Sequence, residues 1–150
     1  MPLTGVEHLA FTVSDLDRSV EWYCANLGFE PFVRYTNEQV GAEVQVLRHQ
    51  DMPERLSLRR FAAGDREPFS EFRIGLDHIA LGVADESDLS EWQLKLEEAG
   101  VVCDRTDLPE LSIMVCRDPD NIQIELCTTI REDMIGTSID ESGALAVDEP

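Results

Sequence analysis

The sequence predicts an α+β protein built from two tandem βαβββ modules. Three observations carry that expectation. The stretch Gly5–Trp22 recurs as Gly75–Trp92 at an offset of 70, with seven of eighteen positions identical. In both copies a short alternating apolar stretch runs into a segment with apolar residues at helical spacing. Both copies then continue into three more stretches of strand character, separated by turn residues.

The first strand of each module is read from alternation. Leu9, Phe11 and Val13 alternate with His8, Ala10 and Thr12; Ile79, Leu81 and Val83 alternate with His78, Ala80 and Gly82. Each strand leads into a helix. Leu16, Val20, Tyr23 and Leu27 recur at helical spacing, with Gly28 as the stop; Leu89, Trp92, Leu96 and Ala99 do the same before Gly100. The equivalent tryptophans Trp22 and Trp92 are expected in the core. Three strands follow in each copy, at 29–36, 42–49 and 55–61, then at 101–105, 111–117 and 122–128. The run Arg117-Asp118-Pro119-Asp120-Asn121 is a turn, in which Asn121 tolerates the left-handed conformation. The modules are thus placed at 1–61 and 74–130, joined by a linker at 62–73. The acidic tail at 131–150 has little periodicity and is expected to be flexible, with Met134, Ile135 and Ile139 free to dock.

Composition narrows the function. The chain of 150 residues carries 31 acidic and 12 basic side chains, a formal net charge of −19. Such a chain repels a phosphate backbone, and no basic stripe with interleaved aromatics is present, so no nucleic-acid partner is expected. No apolar run reaches the roughly 18 residues of a membrane span. Cys24, Cys103, Cys116 and Cys127 form no C-x-x-C pair, and no secretory leader is read at the start, so a cytoplasmic protein with free thiols is expected.

Strand parity then places chemistry. If Leu9/Phe11/Val13 and Ile79/Leu81/Val83 cover the helices, His8 and His78 point to the opposite face, among the small residues Ala10, Ala80 and Gly82. In the last strands, Ile124-Glu125-Leu126 aligns with Leu56-Ser57-Leu58 at an offset of 68. Glu125 therefore shares its face with Gln123 and Cys127, and Ser57 takes the equivalent place. A carboxylate inside an apolar strand is costly unless it is paired or bound to a metal. His8, His78 and Glu125 together suit a divalent first-row metal. The competing reading has two groove-lining histidines and a Glu125 paired with an arginine. Arg59, two residues beyond Ser57 on the same face, clamps a substrate carboxylate or phosphate, or else pairs with Glu125 or an acidic rim residue. Cys127 is read as inert packing beside Glu125, and His49 as exposed near a strand end.

The stretches Val6–Tyr23, Leu76–Leu81 and Asp118–Leu126 resemble the vicinal oxygen chelate superfamily: glyoxalases, bleomycin-resistance proteins, fosfomycin-resistance enzymes, methylmalonyl-CoA epimerases and type I extradiol dioxygenases. The resemblance spans nearly all of 1–130. It implies a glyoxalase-like open, cupped sheet of paired modules, metal ligands at His8, His78 and Glu125, a small-molecule substrate and a homodimer. Glyoxalases place a fourth ligand, Glu or Gln, where this chain has Ser57. Extradiol and fosfomycin enzymes use three ligands, but carry a Tyr where this chain has Val115.

Three functions follow as expectations. The first is a dioxygenase-like enzyme in which the substrate chelates the metal, Fe(II) by preference, through neighbouring oxygens. The second is a lyase or isomerase using Zn, Mn, Ni or Co, which needs a general base that Ser57 does not supply. The third is a dimeric, drug-sequestering binding protein. Arg59 and Ser57 are the candidate catalytic, pocket-lining residues.

Overall fold

A computed structural model of the chain describes residues 2–3, 5–64, 67–109, 111–128, 138–139 and 145–146. The order of elements is β1 (His8–Thr12), α1 (Leu16–Leu27), β2 (Glu30–Asn37), β3 (Ala42–His49), β4 (Met52–Phe61), β5 (Ile79–Val83), α2 (Glu86–Glu98), β6 (Cys103–Asp107), β7 (Ser112–Arg117), β8 (Gln123–Thr128), β9 (Ser138–Ile139) and β10 (Leu145–Ala146). The fold is α+β, with two βαβββ modules in tandem. The chain divides into two compact units. The first runs to Phe69 and includes Asp118–Ile122; the second takes Ser70–Arg117 and the chain from Gln123 onward.

In the first unit the sheet order is β1-β4-β3-β2, with β1 parallel to β4 and the remaining pairs antiparallel. The parallel pair requires a crossover, which the helix and two strands between β1 and β4 provide. Helix α1 starts at the N-cap Asp15, whose carboxylate accepts from the Arg18 N–H, and stops at Gly28 in the left-handed region at φ 75°. It buries Leu16, Tyr23 and Leu27 against Phe11, Leu47, Leu56 and Leu58, all 5% exposed or less. Helical spacing selects Leu16, Tyr23 and Leu27, and alternation selects Phe11; Val20, selected with them, is only half-buried.

The second unit repeats the order as β5-β8-β7-β6 with the same parallel and antiparallel senses. Asp85 caps α2 by accepting from the N–H groups of Ser87 and Asp88. Leu89 and Leu96 are fully buried, with Met114, Cys116, Ile124 and Leu126. The four cysteines are free thiols, as expected. Among the described residues, no helix is long and apolar enough to cross a membrane.

Several expectations need correction. Strand β4 begins at Met52, three residues before the predicted start, because Gln50 and Asp51 make a tight hairpin that pairs His49 with Met52. Pro53 is tolerated there because β1 joins the ladder only at Arg55. Trp22 and Trp92 are half-buried rather than core; Lys95 lies 4.2 Å from the Trp92 ring centroid in a cation–π contact on the outer side of α2. Ala99 is exposed at the end of that helix. The reading of the tail as flexible falls outside the described residues except at β9 and β10, which pair antiparallel, so this stretch is not devoid of regular structure. Met134 and Ile135 also lie outside the described residues.

His49 departs from the exposed position expected of it, with a side chain only 15% accessible. It stacks edge-on against Phe29 at 5.3 Å, over Gly28, where an added Cβ would come 3.3 Å from Nε2. Its Nδ1 accepts from the Asp51 N–H at 3.2 Å. The glycine that stops the helix also makes the room for the ring.

The turn joining β7 to β8 is built on Asp118, 5% exposed. One carboxylate oxygen accepts from the N–H groups of Asp120 and Ile122, both at 2.8 Å; the other accepts from the Tyr23 hydroxyl at 3.1 Å. Burial pushes this carboxyl above the ordinary aspartate range despite those hydrogen bonds. Asn121 takes φ 69° and donates to the Phe69 carbonyl at 2.8 Å. Asp120 accepts from the Ser14 N–H at 2.9 Å and pairs with Arg18 at 2.8 Å.

Candidate functional site

Each sheet has one face against its helix and one turned away. In the first unit the register pairs His8 with Arg55, Ala10 with Ser57 and Thr12 with Arg59. Residues opposite one another share a face, so these six lie together, away from Leu9, Phe11, Leu56 and Leu58. In the second unit Ala80 pairs with Glu125 and Gly82 with Cys127, while Val115 lies across Glu125 on the other side. His78 immediately precedes β5 and continues the Ala80/Gly82 parity. Ser57 and Glu125 thus occupy the same register position in the two units, each opposite the alanine of a His-x-Ala stretch.

The second unit brings two candidate ligands together. His78 Nε2 lies 3.8 Å from a Glu125 carboxylate oxygen, with side-chain accessibilities of 38% and 15%. That separation is too long for a hydrogen bond. Glu125 has no arginine partner among the described residues. The His78 Nδ1 is hydrogen-bonded to Asp77 Oδ1 at 2.7 Å. In the first unit His8 Nδ1 makes the corresponding bond to Glu7, whose carboxylate also pairs with Arg55 at 2.7 Å. That histidine bond, with Arg55, holds the Glu7 carboxyl below the ordinary glutamate range.

A carboxylate on Nδ1 keeps the ring proton there and leaves the Nε2 lone pair outward. This arrangement recurs behind metal-bound imidazoles. Its signal is legible in the repeat, where an acid precedes the histidine in both copies (Glu7-His8 and Asp77-His78), but strand parity alone overlooks it. The donor set of imidazole nitrogens and a carboxylate oxygen without a hydrogen bond fits a divalent first-row cation. Among the described residues, no group of three His, Cys, Asp or Glu side chains in the single chain is close enough to hold a metal ion. His78 and Glu125 are therefore placed as a pair, and His8 is presented by the first unit.

Burial, followed by the nearby Glu125 charge, pushes the Cys127 thiol up, so it stays protonated at neutral pH. That agrees with inert packing.

Ser57 is 3% exposed, and among the described residues its hydroxyl has no hydrogen-bond partner; the buried Nε of Arg59 has none there either. A buried polar group left unpaired costs about 1–3 kcal/mol. Arg59 also lacks the carboxylate partner weighed for it, because no acid among the described residues comes within ion-pair distance. Arg18, Arg34, Arg48, Arg55, Arg60, Arg105 and Arg117 each have one.

Comparison with known proteins identifies the family and the fold. A family profile described as the Glyoxalase/Bleomycin resistance protein/Dioxygenase superfamily matches residues 5–126. A glyoxylase/bleomycin resistance protein/dioxygenase domain from Frankia sp. EAN1pec is 31% identical, with a TM-score of 0.77 over 85% of this chain and 98% of that one. The fold is shared with a mutant of a fosfomycin resistance protein, FosX, from Listeria monocytogenes in complex with Mn(II) and 1S,2S-dihydroxypropylphosphonic acid. That protein is 16% identical, with a TM-score of 0.67 over 88% of this chain and 98% of that one. It is shared too with TnmS3, an antibiotic-binding protein from Streptomyces sp. CB03234, at 20% identity and a TM-score of 0.65 over 84% and 96%. Among curated proteins, none matches the chain.

Proposed function

This chain belongs to the Glyoxalase/Bleomycin resistance protein/Dioxygenase superfamily, and within it we propose a metal-dependent, dioxygenase-like enzyme acting on a small molecule with neighbouring oxygens. One observation carries the proposal: both histidines of the repeat are backed at Nδ1 by a carboxylate, and one of them faces the Glu125 carboxylate at 3.8 Å. Groove-lining histidines need no such repeated arrangement.

The metal would be held by His8, His78 and Glu125, and when bound it would supply Lewis-acid polarisation of substrate oxygens and, as Fe(II), redox chemistry with dioxygen. The residues around the ligands favour this reaction over base-dependent isomerisation. Ser57 stands where a carboxylate would be needed to accept a proton from a carbon acid, and Val115 across from Glu125 has no titratable group. The chain is proposed to work as a homodimer, which light scattering checks.

The test is elemental analysis of protein purified anaerobically without added metal, beside the His8→Ala/His78→Ala double variant. About one iron per chain, lost in the double variant, supports the oxygenase and calls for oxygen-uptake assays with catechol-like substrates. Stoichiometric Zn, Ni, Mn or Co supports a lyase or isomerase instead. No metal, even after loading, leaves a small-molecule-binding protein as the reading.

A further inference from the structure

We propose that Ser57 and Arg59 form a seat for an oxyanion, the carboxylate or phosphate group of a small acidic ligand. The two residues stand on one face of β4, two positions apart, so their Cα atoms are about 7 Å from each other. Both present donors that no described residue accepts from: the buried Ser57 hydroxyl and the buried Nε–H of Arg59. Both donor atoms are closed to water in this arrangement, so an oxygen-bearing anion reaches them when the half-buried Arg59 side chain shifts, and then accepts from both. The guanidinium edge adds a planar fork suited to two oxygens.

Charge arithmetic supports the assignment. At a net charge of −19, the protein repels anions in general, so any anion it holds is held locally. In a chain this rich in acids, a partly buried arginine with no carboxylate is in a position to take one from a ligand. The flanking residues on the same face are Ala10, Thr12 and Val44, none of them acidic. His8 lies on that face too. That the anion is part of the substrate rests on the metal reading above; the seat itself does not.

The experiment follows the arginine Nε–Hε resonances of the full chain by NMR, in chelator, during titration with benzoate or with inorganic phosphate. Saturable movement of the Arg59 signal, identified by its loss in Arg59→Lys, is the expected result, and the anion that produces it tells carboxylate from phosphate. Arg59→Lys keeps the charge but loses the fork, and calorimetry should show its affinity weakened about tenfold or more. Ser57→Ala should weaken binding to a similar degree while melting no lower than wild type, because its hydroxyl makes no hydrogen bond to any described residue. No saturable movement with either anion overturns the proposal, as does unchanged affinity in both variants. The His8→Ala/His78→Ala protein should still bind the anion. Anion binding without metal binding in the wild type sinks the metal reading and leaves the seat standing; metal without anion does the reverse.

Discussion

Ser57 and Glu125 hold the same register position in two copies of one module, Ser57 across from Ala10 and Glu125 across from Ala80. One copy offers a carboxylate and the other a hydroxyl, so the two halves are not chemically equivalent despite their shared sequence pattern. Glu125→Ser makes them equivalent. It is expected to abolish metal retention, whereas Ser57→Ala leaves metal stoichiometry unchanged; elemental analysis of both proteins reads the difference.

Asp77 fixes the His78 ring through Nδ1 at 2.7 Å and is itself 61% exposed. Asp77→Asn should therefore weaken metal affinity by about 10- to 100-fold, a range known for groups that orient a ligand, while the fold survives. Competition with a chelating dye measures the affinity, and circular dichroism monitors the fold. Affinity equal to wild type would remove Asp77 from the site.

The raised Asp118 carboxyl makes a pH prediction. Its folded value lies above its unfolded value, so the folded state binds the proton more tightly. The stability it contributes is fully present below the unfolded value and is lost as pH rises through the folded one. Asp118→Asn removes that titration. Denaturant melts should show wild type losing stability relative to the variant as pH climbs from below the ordinary aspartate range toward neutrality. Asp118→Ala instead removes the acceptor of two N–H groups and of the Tyr23 hydroxyl, and should cost about 2–4 kcal/mol below the ordinary aspartate range and less as pH rises toward neutrality.

Gly28 combines a left-handed φ of 75° with a 3.3 Å approach to His49. Gly28→Ala should destabilise by about 1–2 kcal/mol from the backbone alone, and further from the contact with the ring. His49→Ala in the same chain should recover the contact part and none of the backbone part. A double-mutant cycle by urea denaturation separates them.

The repeat, the strand–helix–strand order and the alignment of Ser57 with Glu125 are all legible in the residues. Alternation and helical spacing are local properties, and the offset between copies transfers the register from one module to the other. That is why Leu56, Leu58, Ile124 and Leu126 are found in the core where alternation puts them. The tryptophans depart from expectation because hydrophobicity states what can be buried, whereas the number of elements packed on a helix decides what is. His49 departs for the converse reason: the space above Gly28 exists only once β3 and the end of α1 meet.

The sequence by itself determined the family, the two-module plan and the identity of the candidate ligands, because these depend on residue types at fixed spacings. Tertiary structure alone decided which donors are already used. It took Asp118 for a turn, and among the described residues it left the Ser57 hydroxyl and the Arg59 Nε–H without acceptors. Hydrogen-bond satisfaction depends on where chain segments distant in sequence come to rest, and no local spacing encodes that.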